Sequence, residues 1–146
     1  MRAKTTLTLI LGITCIATVA DARDDRLKFP LADVLSSAEA KKTLDPTVQL
    51  YFGKQPYAEP AKRLNTGSSN KKTNFFNKTD QEGCNWVFLS ALRSLQEYAH
   101  KMGGNAVVNI VSIYKNQEFV SETHYECGAG TFVGGVALRG EAVLLK

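Results

Sequence analysis

The chain has 146 residues, of which 44% are hydrophobic and 22% charged, and its formal net charge is +4 at pH 7. That suffices for one domain with a buried core, and so mild a basic balance points to no particular partner. Beyond the N-terminus, no segment has the about 20 apolar residues that a membrane span needs.

Residues 1–22 read as a secretory signal peptide. Arg2 and Lys4 form the charged start, Leu7 to Val19 the apolar region, and Ala20-Asp21-Ala22 an A-x-A cleavage site. The apolar run is short for a span. Cys15 makes a poor lipidation site, because Gly12-Ile13-Thr14 lacks the leucine-like residue expected three positions before a lipobox cysteine. Cleavage after Ala22 removes 22 of the 146 residues and leaves 124. Arg2, Lys4 and Asp21 go with it, so 18 basic and 14 acidic residues become 16 and 13, a charge of +3. The expected location is periplasmic or secreted.

Arg23 to Lys28 is charged and expected to fray. From Pro30 to Thr43, Leu31, Val34, Leu35 and Ala38 fall on one side of a helix that Asp45-Pro46 ends. Val48 to Phe52 is a short strand stopped by Gly53. Residues 54–78 form the least regular stretch, with Pro56, Pro60 and Gly67-Ser68-Ser69-Asn70, and read as an irregular basic loop that Phe75-Phe76 packs onto the body. It carries Lys54, Lys62, Arg63, Lys71, Lys72 and Lys78 against Glu59 alone. These six cations are candidate anion-binding residues for phosphate, a lipid head group or nucleic acid, although a solvated loop is the simpler account. Export argues against nucleic acid.

The main helix is expected over 79–102. Thr79-Asp80-Gln81-Glu82 has the capping-box pattern, and Cys84, Phe88, Ala91, Leu92, Leu95, Ala99 and Met102 make one apolar stripe. Arg93, Gln96, Glu97 and Lys101 fall mainly on the other side. His100 and Lys101 suit the negative end of the helix dipole. Gly103-Gly104-Asn105 is the expected structural turn, its glycines supplying a left-handed C-cap. Ala106 to Ile113 is β-branched and apolar on both faces, which predicts a central strand. After the polar turn Lys115-Asn116-Gln117-Glu118, residues 119–127 alternate as a second strand. Thr131 to Leu145 is a third, interrupted by Gly134-Gly135 and Gly140. The three form an antiparallel β-meander over 105–145, so the fold class is α+β, with residues 23–146 as a single domain.

Loss of Cys15 leaves Cys84 on the helix stripe and Cys127 beside Tyr125 on a strand, an even pair in an oxidising compartment. A disulfide between them would close a loop of about 43 residues and stabilise the fold by about 4 kcal/mol. Two buried free thiols are the alternative. Redox catalysis would call for C-x-x-C, which is absent.

Little in the residues suggests catalysis. His100 and His124 are the two histidines, and no H-x-x-x-H or C-x-x-C pair supports a zinc site. His124 with Glu122 and Glu126 would share a strand face and could hold a surface metal or do acid–base chemistry, and an exposed polar face explains them too. A cysteine nucleophile paired with histidine is removed by the disulfide. Gly67-Ser68-Ser69-Asn70-Lys71-Lys72-Thr73 ends like a P-loop but lacks its glycines at 66 and 71. Asn77-Lys78-Thr79 is a formal N-glycosylation sequon. No catalytic residue, metal or cofactor is assigned.

The run from Cys84 to Leu144 joins a cysteine-bearing helix to Gly103-Gly104-Asn105-Ala106-Val107-Val108, a hairpin, and Cys127 leading into Val136-Ala137-Leu138-Arg139-Gly140-Glu141-Ala142-Val143. It resembles the YbjQ-like domain and the core of the RcsF family of envelope-stress sensor lipoproteins. The resemblance implies a helix leading into antiparallel strands and a helix-to-strand disulfide between Cys84 and Cys127. RcsF-type proteins carry two disulfides, and this chain has the cysteines for one. Over nearly its whole length the chain is similar to a family of short exported proteobacterial proteins. They share the Lys71-Lys72-Thr73-Asn74 region, the Cys84–Trp86 helix start and the Glu126-Cys127-Gly128-Ala129-Gly130 turn, and often carry the label of an excinuclease ABC ATPase. That enzyme needs Walker motifs, an ABC signature and zinc modules, none of which the sequence contains.

Three functions follow as expectations. The first is a non-enzymatic exported domain binding an envelope protein or an anionic envelope component, in stress sensing or envelope maintenance. The second is a small metal-dependent or hydrolytic enzyme using His124, Glu122 and Glu126. The third, carried by the family label alone, is DNA repair.

Overall fold

The strand Val133–Leu145 (β6) holds the sheet together, in a computed structural model that describes residues 22–146. The signal-peptide reading of residues 1–22 lies, but for Ala22, outside the described residues. In chain order the other elements are β1 (Asp25–Pro30), α1 (Leu31–Ser36), α2 (Ala38–Thr43), β2 (Gln49–Phe52), β3 (Pro60–Asn74), α3 (Asp80–Lys101), β4 (Ala106–Ser112) and β5 (His124–Ala129). They build a mixed α/β fold on one six-stranded sheet, ordered β1-β5-β6-β4-β2, with β3 also paired to β6. All pairings are antiparallel except β2 with β4.

This is not the simple meander expected over 105–145. With 13 residues, β6 serves β5 at Gly134 and Gly135 and β4 from Leu138 to Val143, while β3 runs along it from Leu145 to Val133. Consequently β4 and β5, neighbours in sequence, are not paired with each other, and β4 instead bridges to the intervening segment at Ser112–Phe119. β5 begins at His124, and the segment before it turns on Ser121, whose Oγ accepts from the amides of Thr123 and His124.

Two polar stretches are strands rather than the forms expected of them. Residues 25–30 are paired rather than frayed, running in register from Asp25 opposite Ala129 to Pro30 opposite His124. The basic stretch 54–78 is not a loop over most of its length, because β3 occupies 15 of its residues. Its apolar alternation is hidden. The positions under α3 are Gly67, into which the Tyr98 ring packs, and Ser69, buried opposite Leu138. The expected single N-terminal helix is broken at Ser37, whose extended backbone ends α1 and whose Oγ caps α2 by accepting from the Ala40 amide.

Helix α3 packs mainly on β6 and β3. Its capping box is complete: Thr79 Oγ1 accepts from the Glu82 amide at 3.2 Å and Glu82 Oε2 accepts from the Thr79 amide at 2.8 Å. The stripe Cys84, Phe88, Ala91, Leu92, Leu95 and Ala99 is buried, and Met102 is the exception, exposed at the C-cap. Gln96, expected on the solvent side, is also buried. It accepts from the Asp45 amide at 2.9 Å and donates to the carbonyls of Asp45 and Val48, which ties the α2–β2 connection to the helix.

At the helix end, Gly103 alone takes the left-handed conformation, with φ +82°. Gly104 is needed for space, since a Cβ there would lie 2.7 Å from the Val143 carbonyl oxygen. Asn105 then acts like a strand residue in miniature. Its side chain accepts from the Leu145 amide at 2.7 Å and donates to the Leu145 carbonyl, and its own carbonyl accepts from Gln49. The junction thereby joins α3, β6 and β2.

Candidate functional site

Cys84 and Cys127 form a disulfide whose Cα atoms are 5.9 Å apart, joining the first turns of α3 to β5. Neither residue is exposed. One turn along the helix, the Phe88 ring stacks on Tyr125 at 3.9 Å between centroids, and the Tyr125 hydroxyl donates to Asn85 Oδ1 at 2.6 Å. Burial pushes the Tyr125 phenol above its ordinary value. The bond thus lies in the main core, not in an open cleft, and its sulfurs are shielded from exchange with dissolved thiols.

The three polar residues of the β5 region are not drawn together. Glu122 lies before the strand and accepts from the Lys54 amide at 3.0 Å. His124 is exposed, its Nδ1 within 2.9 Å of the Thr123 hydroxyl. Glu126 is buried beneath Arg26, which reaches it at 3.5 Å and also lies over the Tyr114 ring. Among the described residues, no group of three His, Cys, Asp or Glu side chains is placed to hold a metal ion.

β3 spreads four of the six candidate cations, Lys62, Arg63, Lys71 and Lys72, over two faces and most of its length, and Lys54 and Lys78 lie outside it. Arg63, opposite Val143, donates to Glu141 Oε2 at 3.0 Å and to the Tyr57 hydroxyl at 3.4 Å. Those two bonds, Tyr57 first, hold its guanidinium pKa above the ordinary value. Lys62 lies opposite Leu144, and Lys54 stands apart in the turn after β2, beside Glu122. Lys71 and Lys72, adjacent in the strand, leave it on opposite faces. Both nevertheless border a surface groove of about 380 Å³ with Trp86, Ser90 and Arg93 of α3. Lys78 donates to the Asn74 carbonyl at 3.1 Å and borders a second groove of about 500 Å³, again with Trp86. The set therefore divides: Lys71, Lys72 and Lys78 gather around Trp86, and Lys54, Lys62 and Arg63 do not.

The exposed aromatics at this end escaped the sequence reading. Phe75 is buried and does hold its segment to the body, but Phe76 is 65% exposed. Trp86 is 59% exposed, in the second turn of a helix whose neighbouring positions are largely buried. Phe132 and Val133, in the β5–β6 turn, are 67% and 52% exposed. The two turns adjoin, because the Phe75 amide donates to the Phe132 carbonyl at 2.7 Å and Asn74 pairs with Val133. A cue was available in Trp86, which lies two residues after Cys84 and off the stripe of three- and four-residue spacings.

No family model, curated protein or solved structure matches the chain. Among the described residues, no helix is long and apolar enough to cross a membrane.

Proposed function

We propose that the chain is a non-enzymatic exported domain that binds an envelope protein or an anionic component of the envelope, in stress sensing or envelope maintenance. The observation that carries this reading is the Cys84–Cys127 disulfide set in the core, a bond that persists in oxidising compartments and is rare where thiols are kept reduced. The signal-like N-terminal sequence of residues 1–22 agrees with it. Kinship with the YbjQ-like and RcsF groups belongs to the same proposal, supported by the helix, the Gly103-Gly104-Asn105 turn and the bridge from helix to strand.

Fractionation of the native cell, followed by chemical crosslinking of the intact envelope, tests the reading. The chain is expected in the periplasmic or membrane-associated fraction, crosslinked to a defined envelope component. Recovery from the cytosol, or turnover that depends on an added metal and disappears in His124→Ala, would contradict it.

A further inference from the structure

The end of the molecule where α3 begins has an unusual surface. Phe76, Phe132, Val133 and Trp86 are each more than half exposed there, on two adjoining turns and the helix beside them. Lys71, Lys72 and Lys78 border the grooves on either side of Trp86. Two acidic groups at this end are already committed. Asp80 is paired with Arg23, and the Glu82 carboxylate caps the Thr79 amide. Glu39 lines the same groove as Lys78. Apolar rings protruding from turns, a tryptophan behind them and lysines around it are the composition that suits the boundary between lipid tails and anionic head groups.

The course of the chain selects the same end. Arg23 is tied to Asp80 in the first turn of α3, and its carbonyl approaches Gly130 in the β5–β6 turn. The N-terminal sequence, with its apolar run Leu7 to Val19, therefore joins the fold beside the exposed aromatics.

We propose that this tip docks on an anionic lipid surface, with Phe76, Phe132 and Val133 entering the head-group boundary and Lys71, Lys72 and Lys78 facing lipid phosphates. The inference rests on the envelope reading above and names its partner as lipid. Trp86 is the only tryptophan in the chain, so its fluorescence reports on the tip alone.

The test uses the protein as processed by a cell that exports it, titrated with phosphatidylglycerol–phosphatidylcholine vesicles and with phosphatidylcholine vesicles. Sedimentation with the anionic vesicles, with a salt-reversible blue shift of Trp86 emission, is expected. Replacing Lys71, Lys72 and Lys78 together by Gln should weaken binding roughly a hundredfold. Phe76→Ser with Phe132→Ser should abolish the shift, and since both rings are exposed, the fold should survive, as circular dichroism checks. No sedimentation with either vesicle would overturn the proposal. So would sedimentation with Trp86 emission unmoved, or a tip covered by a second copy in solution. Soluble inorganic phosphate producing the same shift would identify a phosphate site and overturn the lipid assignment. A crosslinked envelope protein attached elsewhere would leave the broader function standing while these results removed the lipid.

Discussion

Phe75 lies between two backbones, where a Cβ at either Gly83 of α3 or Gly134 of β6 would run into its ring. The glycines at 134 and 140, which read as interruptions of a strand, are instead continuous parts of β6. Gly140 admits Val107 and Gly134 admits Phe75. Overpacking of this kind costs typically 1–3 kcal/mol. Gly134→Ala is therefore expected to lower stability by about 2 kcal/mol in urea unfolding, and by clearly less in a Phe75→Leu background, where the smaller side chain leaves room. An equal loss in both backgrounds would mean that the ring is not what Gly134 accommodates. Gln96 carries the opposite lesson. Its polarity places it on the solvent side of a helical wheel, yet three hydrogen bonds to backbone groups at 45 and 48 offset the cost of burying it. Nothing local to Gln96 announces those partners, which lie about fifty residues away.

Among the elements, α3 was the most legible, because its signals are local: a capping box, a stripe and a glycine after the last turn. Thr79→Ala is predicted to destabilise the domain by about 1 kcal/mol in urea unfolding. The Glu82 carboxyl is held below its ordinary value, chiefly by the hydrogen bond from the Thr79 amide and then by the Thr79 side chain. A depressed folded-state pKa gives stability that is present above the unfolded value of 4.5 and lost as pH falls through the folded one. Glu82→Gln should therefore flatten the acid side of the stability–pH curve and leave its neutral limb nearly parallel to the wild type. β1 and β3 were illegible for a different reason. Strands are stabilised by partners distant in sequence, and β3 offers Lys, Asn, Ser and Thr where a hydrophobic alternation would be sought. Its many lysines also suit a sheet edge that discourages pairing with other chains. The candidate basic site was legible in composition only. Which three of the six cations surround Trp86 depends on the path of β3 along β6.

For the whole molecule, the arrangement follows from one long strand with partners on both edges and one helix across it. β3 lies along one edge of β6 while β5 and β4 share the other in succession, so segments from the start, middle and end of the chain close the main core. The disulfide is the covalent tie in that arrangement, joining α3 to β5 across a sequence separation of 43. In the chain-entropy account its closure is worth about 4 kcal/mol, a large part of the net stability of a domain this size. A chain that depends on such a bond belongs where the bond can form, and the envelope reading stands or falls on that. The most direct test is the intact mass of the protein, isolated from its native cell without reductant, before and after thiol alkylation. The account predicts a chain beginning at Arg23, lighter than its reduced form by two hydrogen atoms and unlabelled until a reductant is added. A chain retaining residues 1–22, with Cys84 and Cys127 free to react once unfolded, would contradict it.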